Sequence, residues 1–156
     1  MVQRGTTRGF LQSVNQWTKE TEERSTEAYQ NGALDFFDEL RKATPVDTGN
    51  MRDAWVASKT GAVNQTVTGP GDTPATSNNN SGIGMSIATI MDLKLGDRIY
   101  FMNNATYFLR QERGFTGFDR LGRYYAQPGR WFAKRVGARY RSIMRAAATR
   151  LRMAVK

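Results

Sequence analysis

The sequence predicts an α+β fold, a small antiparallel sheet packed with a long N-terminal helix and a basic amphipathic C-terminal helix. Three observations lead there. Apolar residues recur at helical spacing up to Pro45, gather in short strand-like stretches in the middle, and return to helical spacing after Pro128. The chain has 156 residues, 39% of them hydrophobic, enough for one core, so 1–156 is expected to be a single domain. Of its 23 lysines and arginines, 11 fall between Arg120 and Lys156, where there is no acid; all 14 acids lie upstream. A near-neutral body thus carries a strongly basic last segment, which points to a polyanion or an acidic protein surface as partner.

Residues 1–9, with two glycines, two threonines and two arginines, read as a flexible arm. A helix is predicted over 10–43. Phe10, Val14 and Trp17 begin an apolar stripe, and Ala33, Phe36, Phe37 and Leu40 resume it; a bend is expected near Gly32. Its charged middle, Lys19 to Glu27, is too polar to be buried in a monomer and suits solvent or a neighbouring subunit. Pro45 lacks an N–H and pushes Thr44 out of the helical region, so the helix should stop near Ala43. Asp47 and Thr48 carry the short side-chain oxygens of caps and turns, and Gly49 tolerates the backbone angles of a sharp turn.

Strands are predicted over 54–59 and 63–68, joined as a hairpin through Thr60-Gly61. A long Gly-, Pro- and Asn-rich loop follows over 69–84. Met85 to Leu95 fits a helix or a strand equally. The stretch 98–103, with Ile99-Tyr100-Phe101-Met102 at its centre, reads as a strand covered on both faces. Thr106 to Glu112 reads as a short helix ended by Gly114, and Phe115 to Gln127 as an aromatic loop. Pro128 then opens a last helix over 129–154. At 100° per residue, Phe132, Val136, Tyr140, Ile143, Ala147 and Leu151 share one face. Arg130, Lys134, Arg141, Arg145 and Arg152 form a basic ridge on the other, suited to DNA or a partner. Arg139 and Arg150 fall beside the apolar face and need a partner or a route to water.

Composition narrows the chemistry. With no cysteine and no histidine, disulfides, thiol nucleophiles, the Ser-His-Asp triad and the commonest metal ligands are unavailable. No run of about 18 apolar residues suggests a membrane span, and the N-terminus lacks the apolar core of a signal peptide. Neither cofactor nor metal is expected. Asp47-Thr48-Gly49 is the tripeptide of an aspartic protease, whose half-sized forms use one aspartate from each of two chains. Its flanks, Lys42-Ala43-Thr44-Pro45 and Asn50-Met51-Arg52, are not those of such an enzyme, so a turn is the simpler reading.

Three blocks carry a more specific signal. Thr44-Pro45-Val46-Asp47-Thr48-Gly49 follows a long helix. Ile99-Tyr100-Phe101-Met102-Asn103-Asn104-Ala105-Thr106-Tyr107 precedes Glu112-Arg113-Gly114. Ala126-Gln127-Pro128-Gly129 stands before the last helix. In this order, over roughly residues 10–155, the chain resembles tailed-bacteriophage neck and tail-completion proteins, a group that includes minor tail proteins. It departs from them in the Gly69–Gly82 loop and the aromatic Phe115–Tyr125 segment. The resemblance implies a structural virion protein and no enzyme, assembled in the host cytoplasm. It implies a homo-oligomeric ring, most simply a hexamer, in contact with connector, terminator or tail-tube proteins and with genome DNA read without sequence preference. It implies fold-defining roles for Pro45, Asp47, Thr48, Gly49, Asn104, Tyr107, Glu112, Gly114 and Pro128. Asn104 is expected to cap the short helix, and Glu112 to accept from turn amides or from an arginine of an adjoining chain. A basic nucleic-acid-binding module and a dimeric aspartic protease using Asp47 are the alternatives.

Overall fold

The structure, a computed structural model, describes residues 5–47, 49–61 and 79–154. Helix α1 runs unbroken from Gly5 to Ala43. It is followed by the single turn α2 (Asn50–Asp53), strand β1 (Trp55–Ser58), helix α3 (Asn79–Met91) and strand β2 (Tyr100–Asn103). Helix α4 (Phe108–Arg113), strands β3 (Gly114–Phe118) and β4 (Tyr124–Pro128), and helices α5 (Phe132–Ala138) and α6 (Tyr140–Ala154) complete the chain. The α+β class is as predicted, but there are two small antiparallel sheets. One pairs β1 with β2, Trp55 opposite Asn103 and Ser58 opposite Tyr100. The other is the hairpin of β3 and β4, Gly114 opposite Pro128 and Phe118 opposite Tyr124.

The core lies between the second half of α1 and everything that follows. Ala33, Phe36, Phe37 and Leu40 of α1 meet Trp55 and Ala57 of β1, Ile90 and Leu93, and Phe132, Val136 and Ile143 of the last helices. Aromatic rings join these layers: Phe36 and Phe37 both meet Phe101, Phe108 stands edge-on to Trp55 and to Phe132, and Phe36 is edge-on to Tyr140. Strand β1 is buried along its whole length, and α3 covers it. Ser86 of α3 accepts from the Ala57 N–H at 3.1 Å and donates to the Gly82 carbonyl at 2.8 Å. A side-chain oxygen thereby satisfies a backbone donor of β1 on the side away from β2.

Several sequence expectations need correction. Residues 5–9 of the expected arm are helical. Gly32 marks no break in α1; it is a contact point, where an added Cβ would come within 2.5 Å of the Met144 sulfur. The expected strand 63–68 lies outside the described residues; β1 pairs with β2. The segment that fitted helix or strand is helix α3, which begins at Asn79 and so takes in the end of the expected 69–84 loop. The strand covered on both faces is β1, not β2: Tyr100 is exposed and the rest of β2 only half-buried. The Phe115–Gln127 loop is the β3–β4 hairpin. The last helix is two helices, divided at Arg139, and Pro128 closes β4 rather than opening α5.

Candidate functional site

The first motif block builds a joint. Thr44 is buried; its hydroxyl donates to the Leu40 carbonyl at 2.7 Å and accepts from the Trp55 indole N–H at 2.7 Å. One side chain thus satisfies a helix-end carbonyl and the polar edge of the largest core aromatic. Arg41 and Arg52 both reach the Asp53 carboxylate at 3.2 Å, tying the end of α1 to α2. The cap of α2 corrects the sequence reading. Gly49, with φ of 90°, holds the N-cap position, while Asp47 is exposed beside it. Thr48 lies outside the described residues. Half-buried Pro45 makes the turn just past the stop of α1.

The second and third blocks form one clamp. Glu112 is 7% exposed, and its carboxylate accepts from the N–H groups of Ala133 at 3.1 Å and Lys134 at 2.9 Å. These are free donors of the first turn of α5, where a negative charge also meets the positive end of the helix dipole. The partners of Glu112 are thus backbone amides of α5 in its own chain. The Arg130 N–H donates to Gln111 and the Trp131 N–H to Glu112, at 2.9 and 3.0 Å. Such close crossing needs Gly114 and Gly129: an added Cβ on Gly114 would sit 2.5 Å from the Gln127 carbonyl oxygen, and one on Gly129 2.5 Å from the Arg113 carbonyl carbon.

The N-cap position of α4 is not Asn104. The chain turns first, with Phe108 N–H donating to Ala105, so the N-cap position of α4 falls to Tyr107. The residue that sequence reasoning missed is its neighbour. Asn103 donates to the Met51 carbonyl at 2.7 Å and accepts from the Ala105 N–H at 3.1 Å, joining β2 to α2. Its i, i+2 bond is an Asx-turn, legible in Asn103-Asn104-Ala105 had either asparagine been weighed alone. The Tyr107 phenol is pushed above its ordinary pKa, mainly by burial and also by the Asp47 charge, against a backbone hydrogen bond at Met51 that lowers it.

Between the joint, α4 and the hairpin lies a groove of about 820 Å³. Pro45, Asp47, Gly49 and Tyr107 line it together with Phe115, Phe118 and Tyr125. Arg110, Arg120 and Arg130 stand around it. Arg110 lies over the Phe115 ring at 4.7 Å, which holds its guanidinium in place. Asp119, a second carboxylate of the groove, is neutralised by Arg123 at 2.7 Å. Its pKa is lowered by the backbone N–H of Arg123 and by the Arg123 side chain.

The basic ridge is divided by the break at Arg139. Arg130 enters the groove, and Lys134 lies over the Trp131 ring at 4.8 Å. Arg141, Arg145 and Arg152 are exposed on α6, on the face opposite buried Ile143 and Ala147. Arg139 and Arg150 have the partners they needed, both on α1: Arg139 meets Glu39 at 3.1 Å, and Arg150 pairs with Asp35.

Residues 8–79 match the HK97-gp10-like family model, described as "Bacteriophage HK97-gp10, putative tail-component". The first half of the chain is similar to a bacteriophage tail component. The resemblance to tailed-phage proteins is upheld across the long helix and the Thr44–Gly49 block. No curated protein and no solved structure matches the chain. The HK97-gp10-like segment contains α1 from Arg8, the joint and β1. The Glu112 clamp and the basic face of α6 lie beyond it. Among the described residues no group of three or more metal-ligating side chains gathers, and no helix is long and apolar enough to cross a membrane.

Proposed function

We propose that this protein is a structural part of the neck of a tailed bacteriophage, a head–tail connector or tail-completion subunit. In this reading it forms a ring, most simply of six copies, through which the genome passes. Its neighbours are connector, terminator or tail-tube proteins. The observation that carries the reading is the form of the HK97-gp10-like segment. Its helix extends well past the core, and Phe10 and Trp17, 66% and 67% exposed, have no apolar cover among the described residues. Burial of such side chains is a main source of favourable association energy, so a helix of this kind suits an assembled state. Met85, Met91 and Leu95 on and after α3 are likewise exposed.

Arg141, Arg145 and Arg152 give the proposal its polarity. They face either DNA in the channel or an acidic surface of an adjoining ring. Sliding DNA needs diffuse phosphate contacts, which arginines on one helix face supply without reading bases. The same face favours a second reading, a nucleic-acid-binding module acting outside a particle. Symmetry-averaged imaging of the particle separates the two: a ring of copies at the head–tail joint is expected, and one or two copies there would count against it. The Arg141→Gln, Arg145→Gln, Arg152→Gln variant should stay folded and yet join heads to tails or retain DNA poorly. Normal infectivity of that variant would reduce the ridge to a solvated face.

A further inference from the structure

The exposed half of α1 and the groove beside the hairpin have complementary surfaces. From Thr7 to Arg24 every α1 residue is exposed. Helix geometry makes the stretch from Gly5 to Arg24 about 30 Å long, enough to reach across a neighbouring subunit. At 100° per residue, Phe10, Val14 and Trp17 lie within about 60° of one another. Glu20, Glu27 and Glu23 follow along one flank of that stripe, about 60°, 80° and 120° from Trp17. The arm is therefore an apolar strip whose one flank carries Glu20 and Glu23, with Arg24 between Trp17 and Glu20, and with Glu27 just beyond the arm. Their ion pairs are long and exposed: Glu20 and Glu23 sit 3.9 Å from Arg24 and Lys19, and Glu20 also accepts from the Gln16 amide at 3.0 Å. The groove offers the opposite arrangement, Phe115, Phe118 and Tyr125 with Arg110, Arg120 and Arg130. Phe118 is 70% exposed, and neither Arg120 nor Arg130 has a carboxylate partner among the described residues.

We propose that the N-terminal half of α1 of one subunit docks into the Arg110–Arg120–Arg130 groove of a second copy of this chain. The inference rests on the ring reading and names the contact that would close it. Arm into groove is a heterologous contact, donor surface on one copy and acceptor surface on the next, and such contacts close into rings when the rotation allows. The aromatic strip supplies buried area, and the acidic flank against the arginine rim fixes which way the helix lies.

The absence of cysteine allows a direct test in the full chain. Val14→Cys combined with Phe118→Cys, oxidised at high concentration and again in assembled particles, should give a ladder of linked dimers, trimers and higher forms. Each single variant should stop at dimers. A double variant that gives no more than the singles, in both settings, overturns the docking. Particle copy number tests the ring separately: a ring without the ladder leaves the ring and removes this contact. Charge reversal gives an independent measure. Arg120→Glu with Arg130→Glu should weaken cross-linking at least about tenfold, and Glu20→Arg with Glu27→Arg in the same chain should restore it. Loss without restoration would place those arginines against another surface. Duplex DNA that competes for the groove and blocks the ladder would assign it to the genome instead.

Discussion

Glu112 shows how one side chain joins parts of the chain that sequence keeps apart. Its carboxylate fills the place of an N-cap for α5 from 20 residues upstream, and it is buried there. Glu112→Ala leaves two amide donors without their acceptor and should cost about 2 kcal/mol. Glu112→Gln keeps an acceptor oxygen and should cost clearly less; equal losses in denaturant midpoints would show that charge, not acceptance, is what α5 requires. The joint offers a matching contrast. Gly49 sits at φ of 90°, so Gly49→Ala should destabilise by about 1–2 kcal/mol through backbone strain. Exposed Asp47, which does not hold the N-cap, should tolerate Ala within about 0.5 kcal/mol. The same unfolding curves test both, and a costlier Asp47→Ala would restore the capping role that the motif suggests. At this scale the sequence marked the right neighbourhood and often the wrong atom. Asp and Thr look like caps because their oxygens are short, yet the positive φ at position 49 put glycine at the cap. Thr44, beside a proline, gave no sign that it would join Leu40 to Trp55.

Between elements, the connections that matter most are polar and few. Lys59, just past β1, meets Asp92 at 2.7 Å and Asp97 at 3.2 Å, fastening the end of α3 and the approach to β2 to the sheet. Asp92 is held below its ordinary pKa chiefly by its hydrogen bond with Lys59, and Asp97 by the Lys94 backbone N–H and then by Lys59. Carboxylates with lowered pKa contribute stability above the ordinary Asp range and lose it as pH falls through the depressed values. Lys59 is raised, chiefly by the Asp92 hydrogen bond, so its contribution persists below the ordinary lysine value and is lost only as pH rises through the raised one. The Tm difference between the native chain and Lys59→Met should therefore be steady near neutrality and shrink below about pH 4. A difference unchanged at low pH would mean that Lys59 contributes packing rather than charge. Which elements were legible follows from burial. The stop of α1 at Ala43 and the short helix before Gly114 were marked by proline and glycine. The β3–β4 hairpin was not, because β4 is exposed along its whole length and shows no alternation of apolar and polar faces. Its one sign was Asp119-Arg120-Leu121-Gly122, an Asx-type turn between aromatic runs. The break at Arg139 left no mark either: its φ of −91° and ψ of 0° lie close to helical, and the apolar spacing runs on through it.

As a whole, the molecule divides into a body and a projecting helix, and the division is physical rather than compositional. Among the described residues, the contacts that join α1 to the rest of the body come from its second half. Tyr29 donates to Asp97, Gln30 caps the open carbonyls of Met91 and Leu93, Asp35 and Glu39 pair with α6, and Phe36, Phe37 and Leu40 enter the core. From Thr7 to Arg24 the side-chain bonds stay within the helix, as in Ser13 to Gly9, Thr18 to Val14 and Gln16 to Glu20. Spacing alone put Phe10, Val14 and Trp17 in one stripe with the core residues, because an apolar helix face has the same spacing whether or not its own body covers it. A chain beginning at Arg24 should therefore fold as the full chain does. Ser25, one residue on, is a good N-cap for the shortened helix, so its new end need not fray far into the core-contacting turns. Its Tm should stay within about 4 °C of the full chain's, the shift expected for a change near 1 kcal/mol or less in a domain of this size. The near-UV spectrum of the core aromatics Trp55 and Phe132 should be preserved, after allowing for the loss of Trp17. In the proposed neck role, the same truncation should fail to join heads to tails in particles. A truncated chain that unfolds would show that the arm supports its own body, and one that is folded and fully functional in particles would leave the exposed strip without an assembly role.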